Sequence, residues 1–96
     1  MITEQEGCFF TQVLVANELG LHARPAARVA QEAQKFRCEL RLIANGLEAD
    51  AKSILDILSL AAAKGSEITV RGWGDDARQA LEHMTRVFHD TLGEDA

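Results

Sequence analysis

The sequence predicts an α+β fold in which helices cover one face of a mainly antiparallel sheet. Three observations carry this. Short segments with two-residue alternation, 8–16, 37–44 and 67–72, read as strands. Between and after them, longer segments place apolar residues at i, i+3, i+4 and i+7, the spacing of an amphipathic helix. An Asn45-Gly46 pair marks a tight hairpin rather than a crossover.

Taken in order, the elements read β-α-β-β-α-β-α. Met1–Gly7 and Gly93–Ala96 look like polar tails. The first strand, 8–16, shares one face among Thr11, Val13 and Val15. Asn17 to Leu21 is a loop. A helix runs from about Ala23 to Lys35, with Ala26, Val29, Ala30 and Ala33 as its buried stripe. Pro25 fits its first turn, where a missing N–H costs nothing. Strand 37–44 turns Cys38, Leu40 and Leu42 one way. After Asn45-Gly46 a shorter strand, 47–51, places Ala49 and Ala51 together.

Ser53 opens a second helix of about 11 residues, with Gly65 as its expected C-cap. Strand 67–72 follows, then a turn at Gly72-Trp73-Gly74. Asp75 and Asp76 start the last helix, where acids suit the dipole. Its stripe is Ala77, Ala80, Leu81, Met84, Val87, Phe88 and Leu92.

Composition narrows the function. The 96 residues suit one domain spanning 1–96. A net charge of -5 argues against nucleic acid as the main partner, although Arg24 and Arg28 allow a local basic patch. Cys8 and Cys38 have no metal-ligand spacing and are expected as free thiols. No apolar run approaches the roughly 20 residues that span a bilayer. The polar, acidic start is unlike a secretory leader, so membrane insertion is not expected and a cytoplasmic location is.

The chemistry concentrates in Gly20-Leu21-His22-Ala23-Arg24-Pro25-Ala26-Ala27. An imidazole and a guanidinium stand two residues apart where a helix begins. Free N–H groups and a partial positive charge there favour an anion. A neutral imidazole is a nucleophile near pH 7, and arginine is shaped to hold phosphate oxygens. A cation at a helix start is mildly unfavourable unless an anion sits beside it. His22 is therefore the candidate acceptor of a phosphoryl group, and Arg24 its stabiliser.

His83 and His89 are six apart on the last helix and cannot form an i, i+4 metal pair. No metal site and no cofactor are expected. Ser53, three residues before Asp56, is expected as an N-cap. Ile54, Leu55, Ile57 and Leu58 make that helix apolar on more than one face. Either a wide core stripe or an exposed docking patch explains this.

GLHARPAA, AKSILDILSLAAAKG and EITVRGWGDDA, in this order, resemble the histidine-containing phosphocarrier (HPr) family of the phosphoenolpyruvate-dependent phosphotransferase system. The resemblance runs from about Phe10 to Phe88. It implies an open-faced β-sandwich, a four-stranded antiparallel sheet of order 1-4-2-3 under three helices.

It further implies that His22 accepts a phosphoryl group at Nδ1 from enzyme I and passes it to an enzyme IIA domain. Such a protein is a component of a transfer chain rather than a standalone enzyme. Arg24 matches the family arginine at the phosphate. Ile54, Leu55 and Leu58 match docking positions, and Ala23 and Ala27, beside the histidine, are expected as further partner contacts. Ser53 matches a serine that a dedicated HPr kinase/phosphorylase modifies in some bacteria. Asp56 departs from the Gly of many members regulated at that serine. The Ile and Leu patch leaves both the sugar and the nitrogen-related branch open. The alternative reading is a regulatory binding module of the same fold, docking through the second helix and controlled at Ser53.

Overall fold

The computed structural model describes residues 1–93. In chain order its elements are β1 (Thr3–Gln5), β2 (Cys8–Leu14), α1 (Ala23–Ala33), β3 (Glu39–Ala44), β4 (Leu47–Asp50), α2 (Ile54–Ser59), β5 (Glu67–Trp73) and α3 (Ala77–Leu92). The sheet order is β1-β2-β5-β3-β4, antiparallel at every pairing. The last four strands of that order reproduce 1-4-2-3. The fold is the expected α+β open-faced sandwich.

One face of the sheet supplies Thr11, Leu40, Leu42, Ala49, Ile68 and Val70, all buried. The buried stripe of α1 (Val29, Ala30, Ala33) and that of α3 (Leu81, Met84, Phe88) close over it. The helical stripes and strand faces expected from periodicity are the ones observed. Both cysteines are free, and burial pushes the Cys38 thiol up to about 11.

Four details correct the sequence reading. First, 1–7 is not a tail. Thr3–Gln5 adds a fifth, edge strand, pairing Thr3 with Phe10 and Gln5 with Cys8. Its turn, Glu6-Gly7, has φ of 54° and 82°, much like Asn45-Gly46 at 54° and 76°. The Thr11 hydroxyl donates to the Met1 carbonyl at 2.9 Å. A Glu-Gly turn and a wholly polar strand carry none of the usual hairpin signal. The expected tail at the other end begins at Gly93, whose N–H still donates to His89 O; 94–96 lie outside the described residues.

Second, α2 stops after six residues, and Gly65 is not its C-cap. Ala61 takes a left-handed φ of 51°. The Asn45 amide donates to the Leu60 and Ala61 carbonyls, and Leu21 N–H donates to Ala62 O at 2.9 Å. Tertiary partners thus take carbonyls that a longer helix would have used, overriding the alanine propensity of 61–63. Gly65, at φ 93°, instead donates its N–H to Val15 O.

Third, β5 runs through Gly72 and Trp73, so the turn begins only at Gly74. A Cβ on Gly72 would stand 2.7 Å from Leu81 Cδ2 and 3.0 Å from Leu40 Cδ2. Gly72 is a strand residue that lets α3 settle onto the sheet.

Fourth, Asp76 occupies the α3 N-cap position without capping the helix. Its carboxylate instead accepts the N–H groups of Arg37 and Cys38, both at 2.9 Å, joining the start of α3 to the approach of β3. The Arg37 N–H, aided by that of Cys38, holds the Asp76 carboxyl below the usual aspartate range. A depressed folded-state value stabilises the fold above the unfolded pKa, near 3.8, and this contribution is lost as pH falls through the folded value. Asp76→Asn is therefore expected to be less stable than the wild type at neutral pH. The gap should narrow below about pH 4, as urea midpoints between pH 7 and 2 will show.

Candidate functional site

His22 is the N-cap residue of α1, with extended backbone at φ −86° and ψ −170°. Its carbonyl accepts the Ala26 N–H, but its side chain makes no capping bond. The ring is half-buried and not used to hold the helix. The first-turn N–H groups of Ala23 and Arg24 receive no side-chain cap either, which leaves them open to an anion.

The loop before His22 is fixed at several points. Gly20 O accepts from His22 N–H at 2.9 Å and from the Asn17 amide at 3.1 Å. Asn17 is buried, and its own N–H, with that of Ala16, donates to Leu92 O at the end of α3. Gly20 has φ 67°, and a Cβ there would lie 2.5 Å from Ala62 O. The glycine meets two needs: a left-handed backbone and close approach of the segment after α2.

His22, Ala23 and Arg24 open onto a concavity of about 730 Å³, shared with Asn17, Leu19 and Pro25. Arg28, one turn further along α1, completes the near wall; Asp90 and Thr91 of α3 form the far one. Arg24 is exposed and, among the described residues, has no ion pair. The arrangement is a nucleophilic ring beside unsatisfied N–H groups and a free guanidinium. Among the described residues no group of three His, Cys, Asp or Glu could hold a metal.

The docking candidates separate cleanly. Ile57 is 0% exposed and belongs to the core, whereas Ile54 (41%), Leu55 (79%) and Leu58 (36%) face solvent. The surplus apolar character of α2 is thus an exposed patch. It stands beside the His22 loop because Ala62, just past α2, binds Leu21. Of the two alanines, Ala23 lines the concavity, while Ala27 is half-buried outside it. Leu19 (75%) and Leu47 (51%) are further exposed leucines, unremarked in the sequence. Leu19 sits in the site itself, and Leu47 follows the hairpin that caps α2.

Ser53 is the N-cap of α2 as expected, its hydroxyl accepting Asp56 N–H at 3.3 Å. The Asp56 carboxylate accepts Asp50 N–H at 3.2 Å, so this acid has a structural task. Ser53→Ala is expected to cost about 0.5–2 kcal/mol, read from thermal and denaturant melts. His83 is half-buried, its Nε2 2.5 Å from Glu32 Oε1, while His89 is exposed; neither reaches the concavity. Asn17, Leu19, Asp90 and Thr91 were not singled out by sequence. Only the Asn17–Gly20 turn left a signal; the α3 residues arrive through folding.

Residues 10–90 match the family model described as the PTS HPr component phosphorylation site. The chain belongs to the HPr family. It is 40% identical to the phosphocarrier protein HPr of Buchnera aphidicola over 80 residues, 83% of this chain and 94% of that one. Among solved structures, a mycoplasma histidine-containing phosphocarrier protein superposes with a TM-score of 0.84 at 36% identity, covering 86% and 94% of the two chains. Crh, the catabolite repression protein of Bacillus subtilis solved as a domain-swapped dimer, gives 0.69 at 34%, covering 96% and 98%. The HPr family match begins after β1, so the edge strand lies outside it. No helix among the described residues is long and apolar enough to cross a membrane.

Proposed function

We propose that this HPr-family phosphocarrier takes its phosphoryl group on His22 from phosphorylated enzyme I and delivers it to an enzyme IIA domain, in the cytoplasm and without a cofactor. The observation that carries this is the His22 ring, unused in capping, at a helix start that offers free N–H groups and Arg24 to an anion. In the transfer, the lone pair of His22 Nδ1 forms a bond to phosphorus. The bond between phosphorus and the donor atom of enzyme I breaks, and that atom leaves with the electron pair. Delivery repeats the step in the opposite sense. The N–H groups and Arg24 hold the three phosphoryl oxygens throughout.

The test is incubation with enzyme I and phosphoenolpyruvate, followed by intact mass. One phosphoryl group is expected, labile to acid and stable to alkali, as a phosphoramidate is. Absence of that adduct would remove the reading.

Ile54, Leu55 and Leu58, with Ala23 and Ala27 closer to the histidine, are the proposed partner-facing surface. Apolar packing makes few directional demands, so partners of different folds can share it. Leu58→Glu is expected to raise the Michaelis constant for transfer several-fold at unchanged circular dichroism. A rise of that size shown by a mutant that has also lost its fold would not count.

A second reading is favoured by the likeness to Crh: a regulatory module docking through α2 and controlled at Ser53 by an HPr kinase/phosphorylase. Against it stands Asp56, whose carboxylate shares the α2 start and would repel a phosphate on Ser53. The carrier reading also accounts for His22, which a pure binding module does not need.

A further inference from the structure

We propose that Arg28 is a second phosphate-holding cation of this site, touching the phosphoryl group together with Arg24. The inference rests on the carrier reading above and adds a residue to it. Arg28 lies one turn beyond Arg24 on the same face of α1, and both line the concavity that His22 opens onto. Two like charges at i, i+4 repel each other on a helix. The cost is reversed when an anion sits between them.

The carboxylate nearest Arg28 does little to hold it. Among the described residues its only ion pair is to Glu32, at 4.0 Å, and its side chain is 48% exposed. Glu32 is already engaged by His83 at 2.5 Å and by Lys35 at 3.0 Å. These two partners, His83 first, hold its carboxyl below the usual glutamate range. Arg28 is therefore left to swing toward the cavity.

The charge count of the walls points the same way. Asp90 places one carboxylate in the concavity. Arg24 alone would leave the lining neutral, a poor place for a phosphoryl dianion. Arg24 and Arg28 together leave it positive. The planar guanidinium fork suits two phosphoryl oxygens at once.

The decisive experiment uses a donor with no protein surface. The intact protein is incubated with phosphoramidate, and incorporation of acid-labile phosphate is followed by mass and by ³¹P resonance. Arg28→Gln is expected to lower the rate about ten-fold or more, the loss of a charge-assisted hydrogen bond. Arg28→Lys should recover part of it, since the charge returns without the fork. Both variants should melt within a degree or two of the wild type, the pair to Glu32 being exposed and long.

Wild-type rates with phosphoramidate for Arg28→Gln would overturn the proposal. A raised Michaelis constant for enzyme I alone would then mark Arg28 as a contact to the partner protein. Failure of the wild type to accept phosphate from either donor is a different result. It would remove the carrier reading itself.

Discussion

His22→Ala is expected to abolish acid-labile phosphate on this protein while leaving its fold intact. The two halves of that result come from one geometric fact. His22 begins α1 through its backbone, with its carbonyl accepting the Ala26 N–H, and its ring contributes no cap. The ring is half-buried at the edge of an open concavity, so removing it leaves no sealed void in the core. Stability should change by about 0.5 kcal/mol or less, as for other substitutions away from buried networks. Among the described residues no other histidine lines the concavity. His83 is tied to Glu32 and His89 is exposed on α3, neither of them lining the site. The measurement is intact mass with and without acid treatment, after exposure to enzyme I and phosphoenolpyruvate. An acid-labile adduct on the alanine variant would place the acceptor elsewhere. A collapsed melting curve would show that the ring holds the loop.

Arg24→Ala should slow transfer by a factor on the order of 10²–10³, the usual loss when one preorganised donor to a developing anion is removed. The side chain is exposed, has no ion pair among the described residues, and touches the concavity. Removing a cation from a helix start should, if anything, slightly favour the empty protein. A rate loss with an unchanged or slightly raised melting temperature is the expected pattern. Parallel losses of rate and stability would assign Arg24 to the fold instead. Arg24→Lys distinguishes charge from shape, because lysine keeps the charge but cannot span two oxygens.

The sequence by itself determined the layer architecture and the placing of His22 and Arg24 together at a helix start. Alternation in 37–44 and 67–72 put Leu40, Leu42, Ile68 and Val70 on one sheet face, and helical spacing put Val29, Ala30, Met84 and Phe88 against it. These are local regularities, and local regularities are written in local sequence. The same holds for GLHARPAA, where histidine, arginine and the helix start lie within a few residues. Its specificity also let the resemblance supply the strand order, which no pattern of apolar residues encodes.

What only the tertiary structure decided depends on groups far apart in the chain. The end of α2 is one case: 61–63 are three alanines, yet Asn45 and Leu21 take the carbonyls of Leu60, Ala61 and Ala62 and the helix stops. Which faces of α2 are core was open by period; burial of Ile57 against exposure of Leu55 settled it. The turn role expected of Gly72 gave way to a packing role visible only once Leu81 and Leu40 stand against it. The edge strand β1 formed from polar residues because β2 offered an unpaired row of backbone groups, a demand that side-chain pattern does not record. The far wall of the site, Asp90 and Thr91, comes from the opposite end of the chain. Its carboxylate shares a concavity with His22 only because Leu92 O accepts the N–H groups of Ala16 and Asn17, bringing the end of α3 to the loop where α1 begins.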